Sequence, residues 1–175
     1  LNVQLGATSQ KIFDAGALGA DQTVFNLDLR NNLDVSWLES GLNAAFGAEY
    51  RREGFNINAG EPNSYFGTGS QVFPGFRPSD VIDTSRHNYA AYADFEGNPI
   101  AALTLGAALR FEDYSDFGNT TSGKLSARFE VNELLALRGT AGTGFRAPNL
   151  QQQFYSTTST NFINGQPFDI RTFPV

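Results

Sequence analysis

The sequence predicts an all-β fold, an antiparallel up-and-down meander of about six strands forming part of a larger transmembrane β-barrel. Three observations predict it. In strands three to six every charge falls on an even-numbered residue, namely Asp94, Glu96, Arg110, Glu112, Lys124, Arg128, Glu130, Arg138 and Arg146. The odd-numbered face carries none, as a sheet with one apolar and one polar side requires. Connections alternate in length: those near 34–41, 97–101 and 132–134 are short, those at 61–85 and 147–175 are long, and 113–119 is intermediate. A meander puts all short turns on one rim and all long loops on the other, which is how outer-membrane barrels are built. Aromatic residues gather at both strand ends, with Phe25, Tyr50, Tyr89, Phe111 and Phe145 near the long-loop rim and Trp37, Phe95 and Phe129 near the other. Two aromatic belts suit two membrane interfaces. A strand of about 10 residues, tilted by about 40°, rises roughly 25 Å, the height of the apolar band of such barrels. A soluble antiparallel sandwich also alternates and also collects aromatics, and stands as the second reading.

Residues 1–22 are rich in Gly and Ala, have no sustained period, and read as loop. Strand one, Thr23–Leu33, alternates Phe25, Leu27, Leu29 and Leu33 with Asn26, Asp28 and Arg30. The turn after it holds Trp37, the only tryptophan. Strand two, Leu42 to about Ile57, sets Leu42, Ala44, Phe46, Ala48 and Tyr50 against Asn43, Gly47, Glu49, Arg51 and Glu53. Phe55 and Ile57 continue on the opposite parity, so Gly54 reads as a bulge. Glu61–Ser85 is a long loop with three prolines and four aromatics that look exposed, Tyr65, Phe66, Phe73 and Phe76. A loop of that length in a compact soluble domain calls for a function. Strand three is Asn88–Glu96, and Gly97-Asn98-Pro99 is a tight turn. Strand four is Leu103–Glu112, strand five Thr121–Val131, and strand six runs into Arg138–Gln153. There Gly139, Gly142 and Gly144 remove bulk, and Pro148, which has no N–H, predicts the end of the ladder nearby. Gln151–Val175 is polar and aromatic without a clear period.

Composition excludes several function classes. The chain has 175 residues, one domain by length, with 16 Phe, 6 Tyr and 18 Gly but no Cys. Disulfides and thiolate metal sites are therefore excluded. A net charge of -6 argues against a nucleic-acid partner. Among 12 basic residues only Lys11 and Lys124 are lysine, which suits cations that must pair or stack. No apolar run reaches the roughly 18 residues of a membrane helix, a test that leaves strand-built barrels open.

The stretch RGTAGTGFRAPNLQQQF, Arg138–Phe154, resembles the barrel signature of TonB-dependent outer-membrane receptors. FGAEYRREGF, QVFPGFRPSD, RHNYAAYADFE and LRFEDYSDFGNTTSGKLSARFE look like neighbouring strands and loops of that family. The resemblance runs from about Val24 to the end, and GTGFRAPNL combined with the upstream EDYSDFG is its specific part. It implies a bacterial outer-membrane barrel of about 22 strands with a plugged lumen. It also implies import of a scarce nutrient such as a ferric siderophore, cobalamin or a carbohydrate, driven through the TonB complex. The partners implied are outer-membrane lipid, the remaining barrel strands and plug of the parent chain, TonB and the nutrient ligand. No plug domain, TonB-contacting motif or closing strand is recognisable. Six strands are too few to close even a barrel of about eight. The expectation for residues 1–175 is thus a partial barrel wall.

The loop residues Tyr65, Phe66, Phe73, Phe76 and Arg77 are the candidate ligand contacts at the outer mouth, since Tyr, Phe and Arg make binding surfaces. Packing of the loop on itself is the competing role. Arg146 matches the signature arginine of the resembled family, with an ion pair to a lumen carboxylate or a plug contact as its expected role. The even-numbered row mixes signs and reads as lumen lining whose charges pair across neighbouring strands, not as a catalytic dyad. Glu112, Asp113, Asp116 and Asn119 offer oxygen ligands but lack the spacing of a calcium loop, so a solvated turn is expected. His87 is the only histidine, and no serine sits in a nucleophile elbow. An enzyme is not expected, nor is a cofactor or a metal. The second reading, a soluble sandwich, would be a ligand-binding module for carbohydrate built on the loop aromatics.

Overall fold

The computed structural model describes residues 1–174. Six strands form one sheet in chain order: β1 (Ala17–Leu33), β2 (Leu42–Asn58), β3 (Ile82–Ile100), β4 (Leu103–Tyr114), β5 (Gly118–Asn132) and β6 (Leu135–Gly142). The registers of β3 through β6 are antiparallel throughout. β1 and β6 are the sheet's edges. A separate hairpin follows, β7 (Thr157–Ile163) with β8 (Gln166–Thr172). Helix α1 (Pro62–Tyr65) and helix α2 (Leu150–Phe154) are single turns. Among the described residues no helix is long and apolar enough to cross a membrane, a statement that does not bear on strands.

The registers verify the parity expected from sequence. Odd residues meet odd residues: Phe95 faces Ala107, which faces Leu125, which faces Ala141. Even residues meet even ones: Tyr92 faces Arg110, and Arg128 lies between Thr104 and Arg138. Exposure is reversed from that of a soluble sheet. Along β4 the apolar Leu105, Ala107, Leu109 and Phe111 are exposed, whereas Thr104, Gly106, Ala108 and Arg110 are half-buried and Glu112 is buried. Leu105, Leu109, Leu125 and Leu137 on the apolar side stay exposed, where a sandwich would bury them, so the sandwich reading falls.

The chain divides into two compact units. One comprises residues 1–22, 53–85 and 148–174. Its core is Phe55, Ile57, Phe76 and Leu150, with Ile82, Phe154 and Tyr155 packed against it. Hence the parity change at Gly54: β2 runs on to Asn58, and Phe55 and Ile57 are apolar because Phe76 and Leu150 cover them. The other unit is Thr23–Arg52 with Arg86–Ala147, and holds the two-faced wall.

Several boundaries differ from the sequence reading. β1 begins at Ala17, inside the segment read as loop, and a 3-10 turn spans Val3–Thr8. β3 begins at Ile82 and passes through Gly97-Asn98-Pro99 as an irregularity in register, with the turn at residues 101–102. The Asp113–Asn119 loop is a three-residue turn, because Tyr114 already pairs with Gly118. β6 stops at Gly142, six residues before Pro148, although the Thr143 N–H still donates to Gly123 O at 2.8 Å. The tail is ordered as α2 and the β7–β8 hairpin. Its signal was Asn164-Gly165, both at positive φ (52° and 79°), the pair that a two-residue hairpin turn of the right twist demands.

Candidate functional site

The polar face of the wall carries an ion network. Glu49 on β2 accepts from Arg51 at 2.7 Å and lies 3.5 Å from Arg110 on β4. Arg110 also meets Glu112 at 3.1 Å, and the Tyr114 hydroxyl donates to the same Glu112 oxygen at 3.2 Å. β2 and β4 are not adjacent; β3 lies between them. The bridge spans β3, where Arg110 faces Tyr92 and Glu112 faces the small Ala90. Arg128 and Arg138 sit directly opposite, an unfavourable like-charge pair, and Arg128 is partnered by Glu130 on its own strand. Arg86 is buried, its guanidinium 5.5 Å from the ring centres of both Tyr114 and Phe117 and 3.5 Å from Asp116. Phe145 of the signature stretch packs edge-on against both rings. This cluster pins the β4–β5 turn, and nothing in the spacing of Arg86 announced it.

Asp94, Glu96, Lys124, Arg138 and Arg146 make no ion pair among the described residues. The pairing expected across the row is therefore confined to the Glu49–Arg110–Glu112 part and the Arg128–Glu130 step. Glu112, Asp113, Asp116 and Asn119 do not converge; Glu112 and Asp116 are taken by arginines. No group of three or more His, Cys, Asp or Glu suited to a metal occurs among the described residues. His87 is exposed, and its ring packs edge-on against Tyr89.

The apolar face is ringed as the belts require. Phe25 stacks on Tyr50 at 6.4 Å and Tyr50 meets Tyr89 at 5.1 Å, a row across β1, β2 and β3 at one rim. Phe46 and Phe95 meet at 5.5 Å toward the other. Between them Leu27, Leu29, Leu109, Leu125 and Leu137 stay exposed, Leu125 at 66%.

The loop candidates separate into two groups. Phe66 and Phe73 are exposed and Tyr65 is half-buried. Phe76, expected to be exposed, is buried at 4%, with Phe73 at 5.1 Å and Tyr155 at 6.1 Å against its ring. Its apolar neighbours Phe55 and Ile57 needed a cover, and it supplies one. Arg77 donates to Asp169 at 2.8 Å and to Thr160, so its charge is engaged by the hairpin. Asp80, which the sequence did not mark, is fully buried. It accepts from the Thr158 N–H (3.0 Å), the Thr158 hydroxyl (2.6 Å) and the Arg77 N–H (3.1 Å), and lies 3.7 Å from Arg171. The Thr160 hydroxyl and the Arg77 guanidinium hold the Asp169 carboxyl below its ordinary pKa.

A wall with lipid-type exposure outside, ion pairs inside and ring belts at both rims is what an outer-membrane barrel presents. The family model described as "TonB dependent receptor-like, beta-barrel" matches residues 3–172. The chain belongs to the TonB-dependent receptor β-barrel family. Its members are outer-membrane transporters, not enzymes. The ferric enterobactin receptor PirA of Pseudomonas aeruginosa is 29% identical over 145 residues, which is 78% of this chain and 19% of that protein. The crystal structure of PirA from Pseudomonas aeruginosa superposes with a TM-score of 0.63 at 22% identity, covering 82% of this chain and 23% of that one. PirA from Acinetobacter baumannii gives 0.62 at 16% identity, covering 90% and 22%. A ferric enterobactin receptor (PfeA) mutant from Pseudomonas aeruginosa, in complex with enterobactin, gives 0.62 at 17%, covering 81% and 20%. These structural likenesses concern the fold. The chain spans about a fifth of the length of the relatives it matches.

Proposed function

We propose that this chain is part of the barrel wall of a TonB-dependent importer of a ferric siderophore, with its long connections at the outer mouth. The observation that carries the reading is the inverted exposure along β4, apolar residues outside and Arg110 and Glu112 sheltered, on a chain of this family. Hydrocarbon stabilises such a face and water does not. The siderophore class is supported by the relatives, described as ferric enterobactin and siderophore receptors. TonB, the remaining barrel strands and the plug are the partners this reading requires. Of the loop candidates, the exposure of Phe66 and Phe73 and the partial exposure of Tyr65 support a role as ligand contacts, whereas Phe76 is buried and Arg77 is engaged by the hairpin. The test is uptake of radio-iron as ferric enterobactin by iron-starved cells with and without the receptor. TonB-dependent uptake that is lost on deletion, and weakened about tenfold by Phe66→Ala with Phe73→Ala (roughly 1.4 kcal/mol), supports it. Undiminished iron uptake on deletion refutes the siderophore assignment.

A further inference from the structure

The apolar side of the wall is not smooth. A groove of about 690 Å³ opens in it, within the size range of small-molecule sites (roughly 300–1,000 Å³). The registers explain its floor. In the row Phe95, Ala107, Leu125, Ala141 large and small residues alternate, and in the row Leu105, Ala127, Gly139 only Leu105 is large, so a depression runs over Ala107, Ala127 and Gly139. The β1–β2 turn makes its overhang. Leu38 folds onto Gly97 so closely that a Cβ there would stand 3.0 Å from Leu38 Cδ1. Glu39 N–H donates to Asn98 O at 2.8 Å and Ser40 Oγ bonds Asn98 Oδ1 at 3.0 Å, so the overhang is fastened to β3. Beside Leu38, Trp37 lines the groove yet is 70% exposed.

We propose that this groove is a built acyl-chain site, and that it holds one tail of a zwitterionic ethanolamine phospholipid of the periplasmic leaflet. Three observations select that occupant. The groove is continuous with the lipid-facing surface of Leu105, Leu109 and Leu125, so its opening meets hydrocarbon, not water. It lies at the short-turn end of the strands, the periplasmic end of an outer-membrane barrel. The connections at that rim carry Asp34, Glu39 and Glu133 and no Lys or Arg, which favours a headgroup with an ammonium over a purely anionic one. Trp37 is suited to the boundary, with an apolar ring on the tail and an N–H toward the headgroups.

The test is native mass spectrometry of the intact receptor, extracted from membranes containing phosphatidylethanolamine and phosphatidylglycerol. Wild-type protein should retain one phospholipid per barrel, with the ethanolamine species enriched several-fold. Ala127→Phe, which fills the floor, should reduce that retention at least tenfold, with folding checked by heat-modifiable gel mobility. If that variant does not fold, Trp37→Ala takes the ring off the groove's wall while leaving the turn fastened to β3, and should also lower retention. Equal retention in wild type and the folded variant overturns the proposal, as does preference for phosphatidylglycerol. A second receptor copy or another polypeptide released by Ala127→Phe overturns it too, by giving the groove a different occupant.

Discussion

Replacing Asp80 by alanine should release the β7–β8 hairpin while leaving the strand wall intact. The carboxylate is fully buried and receives both the amide and the hydroxyl of Thr158, at 3.0 and 2.6 Å. Bonds to a charged group contribute about 1.5–3 kcal/mol each. Two of them give at least about 3 kcal/mol if they add, and more if the freed Arg77 N–H stays buried without a partner. At about 1.4 kcal/mol per tenfold, hairpin opening should rise on the order of 100-fold. Hydrogen exchange on the intact receptor, resolved to peptides covering 157–172, reads this directly. Protection there should fall by that factor in Asp80→Ala and less in Asp80→Asn, which keeps one acceptor for the Thr158 N–H. Peptides of β4 and β5 should not change. Unaltered protection over 157–163 would show that Asp80 does not anchor the hairpin, and uniform loss over the whole chain would show a folding role instead.

Leu125→Arg puts a cation on the lipid face and should cost about 2–4 kcal/mol of folding free energy in a bilayer, whereas Lys124→Leu on the neighbouring polar face should cost far less. Equal effects in urea titrations of the bilayer-inserted receptor would contradict the assignment of faces. Ala90 is buried and faces the buried Glu112, so Ala90→Leu should crowd that carboxylate and destabilise by about 1–3 kcal/mol through overpacking; an unchanged urea midpoint would refute that. The Asp169 carboxyl has its pKa lowered by Thr160 and Arg77, so its contribution to hairpin docking is present above the unfolded value of about 3.9 and is lost as pH falls through the lower folded value. Exchange over 166–172 should accelerate only below about pH 4, and Asp169→Asn should remove that step; a step near neutral pH would assign it to another group.

The wall was legible because its physics is local. A pleated strand sends alternate residues to opposite faces, so Leu103 to Glu112 and Leu125 to Val131 declare which side meets lipid without any knowledge of neighbours. The signature stretch around Gly142–Leu150 resembled its family for the same reason, being read along the chain. Asn164-Gly165 was equally local and marked the hairpin that was missed. What the tertiary structure decided rests on distant partners. Phe76 looks like an exposed loop aromatic until Phe55, Ile57 and Leu150 close around it. Arg77 looks like a ligand contact until Asp169, 92 positions away, meets it. Asp80 and Arg86 are ordinary charges in sequence, and only burial against Thr158 and between two rings makes them anchors. The lipid-side groove likewise exists only through register, since small residues on β4, β5 and β6 make a cavity when hydrogen bonding sets them side by side.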